Sequence, residues 1–347
     1  MSKPHEDDDD DYESIEGRDF FRQMYGRRTN IMNPTYLLPA DDDEIQRSNL
    51  MHRLIRFIFS GRIYVGPTKE VLQFGPYRQV LDLGTGRGEW AVELCEEFSW
   101  VFVTGVDIVP IQYLEVPVRC RFELWDINTH DMPYANGCFD LVHARAVLTG
   151  IRDYPRFLSQ IGRILRPGGL VLLIEPSLVQ YAQNKPEHEY TFGTGPRGWF
   201  TLWETYRSCL SMLGVDVTVP LHLKELLEYT GLFEDIQDFK ATIPVGFYHE
   251  QKGILTVGQL QWMAYDLLLP ALKPMFLSLG MLEARADRII KDAQSDLYYG
   301  NTDFKLASHM HIVGSNFSSY PVFIHTDKAS ASDMQKDRFS SPSVSAE

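Results

Sequence analysis

Cysteine is scarce in this chain of 347 residues. There are four, Cys95, Cys120, Cys138 and Cys209, and no two form a CxxC pair. That spacing excludes a thiol-ligated zinc site and a disulfide framework, and it reads as buried thiols in a reducing compartment. Basic charge is also short: 33 Lys and Arg face 47 Asp and Glu, for a net charge of −14. A grip on phosphate backbones as the main activity is excluded by that balance, and no nucleic-acid partner is expected. A long uninterrupted apolar run is missing too. The most lipophilic stretch, "YDLLLPALKPMFLSLGML" from Tyr265 to Leu282, carries Asp266, Lys273 and two prolines, so it reads as a kinked, buried or pocket-facing helix and not as a membrane span. The N-terminus is polar and acidic, with no signal peptide, and the expected localisation is cytoplasmic, with nuclear residence left open by the short "GRR" at 26–28.

Strands and helices alternate along the rest of the chain. "QVLDL", "VFVTGVD", "CRFELWD", "FDLVHA" and "LVLLIEP" are β-rich runs, and "EWAVELCEEF" and "YPRFLSQIGRILRPGG" are helical, the latter stopped at Pro167 and capped by glycine. Apolar strands alternating with helices predict a doubly wound, mostly parallel sheet covered on both faces. Further along, "HLKELLEYTG" reads as a helix, "FEDIQDFKAT" as a strand, two helices follow between about 256 and 298, and "LASHMHIVGSNF" closes the sheet. Upstream, "DDDEIQRSNLMHRLIRFIF" starts a helix at Asp41–Asp43 with Leu50, Leu54, Ile55 and Ile58 at helical spacing. The expected division is an acidic disordered tail over 1–30, an N-terminal helical cap over 31–75, a main α/β domain over 76–325 with a helical insertion at about 250–298, and a Ser-rich disordered tail over 326–347.

The informative segment is "QVLDLGTGRGEW", Gln79 to Trp90. Gly84, Gly86 and Gly88 follow the first strand of the alternating region, where an open α/β sheet binds its ligand. A dinucleotide fingerprint needs a third glycine where Glu89 stands, and a carboxylate at that helix start repels a pyrophosphate. No Gly-Lys-Ser/Thr follows either. The loop suits a ligand without phosphate. Asp82 precedes it, Asp107 ends the second of these strands in position to accept from ribose hydroxyls, and Asp126 ends the third, where it can accept from an adenine amino group. An acid-rimmed crevice for a cation bearing ribose and adenine describes S-adenosylmethionine.

"VLDLGTGRGEWAVELCEEF", "VTGVDIVPIQ", "VPVRCRFELWDIN" and "FDLVHARAVLTGIRDYPRFLSQIGRILRPGGLVLLIEP" together resemble the class I S-adenosylmethionine-dependent methyltransferases. "YLLPADDDEIQRSNLMHRLI" and "IPVGFY" resemble, more narrowly, their LaeA-like fungal branch, and the likeness runs over roughly residues 25–320. The resemblance implies a seven-stranded Rossmann-like methyltransferase sheet, with the N-terminal helical segment and a helical lid near the C-terminal strands. Gly84, Thr85 and Gly86 would line the methionine and ribose, Asp107 and Ile108 would hold the ribose, and Asp126 and Ile127 would flank the adenine. Ala144 and Arg145 would lie beside the cofactor, and Tyr36 would fold over the site. Arg87 and Glu89 depart from the branch's usual Thr and small apolar residue, and "GGLVLLIEP" from its "GGWVE".

The implied activity is methyl transfer to a small molecule, plausible in fungal secondary metabolism. The alternative is a methyltransferase-like regulator that controls metabolite genes through protein partners. No catalytic residue stands out; His143, Tyr248 and His249 are the titrating candidates for a base. Trp199 and Trp203, in "FGTGPRGWFTLWETY", and Trp262 are candidates to bind an apolar or aromatic acceptor, within a lid built from the leading helix and the helices near 256–298. No metal site and no membrane partner are expected.

Overall fold

A computed structural model describes residues 20–315, except 74, 76, 130, 183–184, 190–195 and 300–304. Its centre is a mixed sheet in which parallel strands β3 (Gln79–Leu83), β4 (Phe102–Asp107), β5 (Cys120–Leu124), β6 (Phe139–Arg145) and β7 (Leu165–Ala182) run in the order β5-β4-β3-β6-β7. The sheet is completed by β9 (Gln237–Pro244) and by β10 (Leu306–Gly314), which inserts antiparallel between β7 and β9. A short strand β8 (Lys185–Glu189) pairs with the end of β7. The chain steps outward from β3 in one direction to β5, then returns to the other side of β3 with β6. That reversal opens a crevice at the carboxyl ends of β3 and β6.

Strand pleating explains why these runs are apolar throughout. Leu81, Leu83, Val171 and Leu173 join one buried cluster, while Val80, Leu170, Leu172 and Ile174 join another on the opposite face. Successive side chains point to opposite faces, and helices cover both, so the middle of each central strand is buried on either side. One face carries α4 (Tyr154–Ile164), α5 (Arg197–Met212) and α6 (Leu223–Thr230); the other carries α1 (Asp42–Ile58), α2 (Thr68–Gln73), α3 (Glu89–Glu97) and α7 (Lys252–Ala271). Helix α7 packs along α1, and the short α8 (Lys273–Ser278) and α9 (Glu283–Tyr299) follow. No helix among the described residues is long and apolar enough to cross a membrane.

Three local expectations are corrected. The acidic tail expected over 1–30 does not extend that far: β1 (Phe21–Met24) and β2 (Arg27–Asn30) form a hairpin. Its low apolar content hid it, because polar ties hold it. Arg27 makes a two-pronged ion pair with Asp41, at 2.5 and 2.7 Å, and Arg28 Nε donates to the Ala40 carbonyl at 3.0 Å. The helix expected to run to Pro167 ends at Ile164, and Leu165 is already extended (φ −73°, ψ 141°) and paired with Phe139. Between 252 and 299 there are three helices where two were expected, because Pro274 in the first turn of α8 starts a new helix after α7. The expected tails over 1–19 and 326–347 lie outside the described residues.

Candidate functional site

The loop after β3 turns on backbone that only glycine adopts without strain. Gly84, Gly86 and Gly88 have φ of 70°, 59° and 93°. Space is as tight as conformation: a Cβ on Gly84 would lie 2.5 Å from Val147 Cγ1, and one on Gly88 2.3 Å from Phe122 Cζ. The loop is pinned to β4, since Gly84 and Thr85 N–H both donate to the Val106 carbonyl at 2.9 Å and Gly86 N–H donates to Asp107 Oδ2 at 2.8 Å. Asp107 also accepts from the Ile108 and Val109 amides. Burial nevertheless pushes its carboxyl up to about 6, against those three donors and with help from the nearby charge of Asp82.

Above this loop lies a cleft of about 1310 Å³, open solvent at its mouth included. Its walls bring together Tyr36, Gly84, Thr85, Gly86, Asp107, Ile108, Asp126, Ile127 and Arg145. Two of the expected site residues stand elsewhere. Ala144 is fully buried in the sheet, and Ala146 (φ 55°) takes its place in the wall. Asp82 lies beneath the loop, where it accepts from Thr85 Oγ1 at 2.6 Å and His143 Nδ1 at 2.7 Å. Its part is to tie the glycine loop to β6.

That arrangement also settles the place of His143. The imidazole is 1 % exposed, stacks on Trp90 with ring centres 3.9 Å apart and planes 9° apart, and is held toward its neutral form by burial, against the pull of Asp82. It does not reach the cleft. Neither do Tyr248 and His249 line it; the Tyr248 hydroxyl donates to the Leu306 carbonyl. The three tryptophans offered as acceptor contacts are absent from the walls as well. Trp199 and Trp203 pack edge-to-face with each other and with Tyr265 in the core, and Trp262 Nε1 donates to the Leu297 carbonyl at 3.1 Å. Aromatics at helical spacing here fill the space between helices.

What roofs the cleft is α1. Glu44, Ile45, Arg47, Ser48, Met51 and Ile55 all face it, on successive turns along the helix. Asp41 caps that helix by accepting from the Glu44 amide, and the acids of its first turn suit the positive end of the helix dipole. Arg47 forms a two-pronged ion pair with Glu44, at 2.8 and 2.5 Å, inside the cleft. None of α7, α8 or α9 contributes a wall residue. Sequence reasoning also missed Asn33, whose side-chain amide donates to Asp126 Oδ1 at 3.2 Å and to the Gly150 carbonyl at 3.1 Å. It anchors the segment that carries Tyr36 against the far wall. Its one sequence signal is the "NPT" turn before Tyr36. Burial raises the Asp126 carboxyl, partly offset by Asn128 N–H and Asn33, and raises the Tyr36 phenol above its ordinary value.

A methyltransferase-domain family model matches residues 44–232, which takes in the glycine loop, both cleft aspartates and β6. The "Secondary metabolism regulator laeA" of Coprinopsis cinerea is 30 % identical over 288 residues, covering 81 % of this chain and 70 % of that protein. The chain belongs to the LaeA-like class I methyltransferases. The "Protein-methionine methyltransferase laeA" of Emericella nidulans is 30 % identical over 163 residues, covering 45 % of this methyltransferase and 41 % of that protein. Among solved structures, a phosphoethanolamine N-methyltransferase of Haemonchus contortus is 18 % identical with a TM-score of 0.42, over 79 % of this chain and 58 % of that one.

The cofactor of this methyltransferase is S-adenosylmethionine, and the residues present fit it. The backbone of Gly84 and Gly86 forms part of the cleft wall, and among the described residues neither Asp107 nor Asp126 forms an ion pair with a basic side chain, which leaves both able to accept from neutral hydroxyl and amino groups. Glu89 is the first residue of α3, the helix end at which a dinucleotide fold holds its phosphate, and it does not line the cleft. No group of three or more His, Cys, Asp or Glu among the described residues is placed to hold a metal ion.

Proposed function

We propose that this methyltransferase transfers the methyl group to a small-molecule acceptor held under α1, in fungal secondary metabolism. In this reading the ribose hydroxyls donate to Asp107, the adenine lies between Ile108, Ile127 and Trp125 with Asp126 at its amino edge, and the methionyl part lies over Gly84–Gly86 beside Arg145. When bound, the cofactor supplies an electrophilic methyl on a sulfonium. The chain's own residues bind it, align it and keep water out. Alignment of two reactants contributes up to about 7–11 kcal/mol of barrier lowering, so a dedicated base is needed only where the acceptor must lose a proton.

The observation that carries the reading is the reach of the cleft. It continues past the aspartates to Tyr36, Glu44, Arg47, Pro176 and Met310. With Trp199, Trp203 and Trp262 in or against the core, that end is polar as well as apolar, which favours an acceptor with a hydroxyl or acidic handle over a flat apolar one. Incubation with methyl-labelled cofactor and a fungal metabolite extract tests this by mass spectrometry. The expected result is a small-molecule product heavier by one labelled methyl in place of one hydrogen, lost in Arg47→Ala.

A second reading, a regulator that acts through protein partners, is supported by the names of the relatives and by the Met51 and Met310 side chains in the cleft wall. Label that ends up on protein, with none in the small-molecule fraction, would favour it. Compartment and partner identity rest on the same test carried out in cells.

A further inference from the structure

A base that serves the transfer has to lie in the cleft wall, and the wall offers few. Among the described residues no histidine, lysine or cysteine lines the cleft; its titrating side chains are Tyr36, Glu44, Asp107, Asp126 and three arginines. Arginine keeps its proton throughout the working range. Asp107 and Asp126 face the ribose and the adenine in the reading above. Burial, followed by the charge of Glu44, raises the Tyr36 phenol and keeps it protonated. Glu44 is left.

Its place on α1 brings it to the reacting end. Ser48 stands one turn further along the same face and hangs over the glycine loop: a Cβ on Gly86 would lie 3.6 Å from Ser48 Oγ. The Tyr36 phenol, in turn, feels the charges of both Glu44 and Asp107. The sulfonium joins the methionyl part, over that loop, to the ribose, at Asp107, so the join falls under the stretch of wall that carries Glu44. The residue is 8 % exposed, and Arg47 holds both of its oxygens, Nε donating to Oε2 at 2.8 Å and Nη2 to Oε1 at 2.5 Å. Each carboxylate oxygen accepts twice, so one place on each is left for a substrate.

The strength of this base selects the acceptor. A carboxylate is about six pKa units too weak to strip an alkylammonium, so it cannot ready an amine. A thioether or a carboxylate acceptor has no proton to lose. A hydroxyl is different, because its proton becomes strongly acidic as the oxygen takes on the methyl group, and a fixed weak base then suffices. The geometry points to Glu44 as the catalytic residue that takes the proton from a hydroxyl acceptor, with Arg47 as the positioning residue that fixes its carboxylate. The acceptor oxygen bonds to the methyl carbon as the carbon–sulfur bond breaks, that bond's electron pair stays on sulfur, and the hydroxyl proton passes to Glu44. The product is a methyl ether. This deepens the small-molecule reading above and rests on it.

The test begins with the full chain, isotope-labelled S-adenosylmethionine and a fungal metabolite extract, and reads the methylated atom of the product by NMR. A methyl on an ether oxygen is expected; one on nitrogen, sulfur, carbon or a carboxylate oxygen would overturn the proposal, whether or not any variant folds. With the product's unmethylated parent, Glu44→Gln should lower the single-turnover rate at pH 7.5 by about 100- to 10,000-fold, while its calorimetric affinity for S-adenosylhomocysteine stays within about 3-fold of wild type. The deficit should shrink as pH rises to about 9 and the parent ionises unaided, whereas wild type and Glu44→Asp keep a level profile. Binding of the parent to the S-adenosylhomocysteine complex should weaken about 10-fold or more in Glu44→Leu, which leaves the hydroxyl without its acceptor. A Glu44→Gln variant as fast as wild type, or slowed equally at every pH, would overturn the assignment. Label found only on protein would remove the small-molecule reading instead; there a methyl on a hydroxyl side chain keeps Glu44 in its role, and one on a methionine sulfur ends it.

Discussion

Glu175 offers the sharpest prediction about stability. It lies near the end of the sheet-buried part of β7, fully shielded from solvent, and Oε1 alone accepts from the Val147 and Leu148 amides at 3.2 Å and the Tyr154 hydroxyl at 3.0 Å. Oε2 has no partner. Burial outweighs those three donors and pushes the carboxyl from 4.5 up to about 8, so the group is folded in as a neutral acid. The folded chain then holds a proton that the unfolded chain releases above its ordinary value. The stability this contributes is fully present below pH 4.5 and is lost as pH rises to about 8. Each pH unit in that window removes up to about 1.4 kcal/mol. Glu175→Gln keeps the shape and the accepting oxygen but cannot ionise, so it removes that dependence. Thermal melts of wild type and variant at pH 5.5, 7 and 8.5 should show the variant's relative stability rising by a few kcal/mol across the series. The refuting result is a stability difference that stays constant with pH. The consequence reaches the cleft, because Val147 and the turn at 148–150 that Glu175 holds form part of its wall.

Three further outcomes follow from the geometry. Gly88→Ala places a Cβ 2.3 Å from Phe122 Cζ at a φ of 93°, and should destabilise the fold by about 2–4 kcal/mol in chemical denaturation. Trp203→Leu, in the core and not in the cleft, should cost about 2–4 kcal/mol of stability yet leave the cofactor dissociation constant within about 2-fold by calorimetry. Affinity for cofactor should weaken several-fold in titrations between pH 7.5 and 5, as Asp107, which ionises near 6, takes up a proton and its carboxylate stops accepting fully from the ribose.

The parts of the fold governed by periodicity were readable in the sequence. In "LVLLIEP" the five residues Leu170 to Ile174 are all apolar because both sheet faces are covered, and α1 is marked by Leu50, Leu54, Ile55 and Ile58. The glycine loop was readable because its job is steric and glycine alone does it. Harder to see was whatever depends on which side chains meet. His143 lies two residues before the cleft-facing end of β6, yet its ring turns onto Trp90 and Asp82. Asp82 pointed to a ligand but is spent on Thr85 and His143. The aromatics of α5 share spacing with a binding face, but the helix docks that face on the core. The roof formed by Glu44, Arg47, Ser48 and Met51 could be placed only once α1 was seen to cross the crevice.

We propose a phosphate-free adenosyl site whose ribose is held by Asp107. Calorimetric titration of the full chain with S-adenosylhomocysteine and with NAD, repeated on Asp107→Asn, measures this most directly. A 1:1 complex with S-adenosylhomocysteine, weakened by about 10-fold or more in the variant, and no heat with NAD are expected from the phosphate-free site. Tight NAD binding, or an unchanged affinity for S-adenosylhomocysteine in Asp107→Asn, would contradict it.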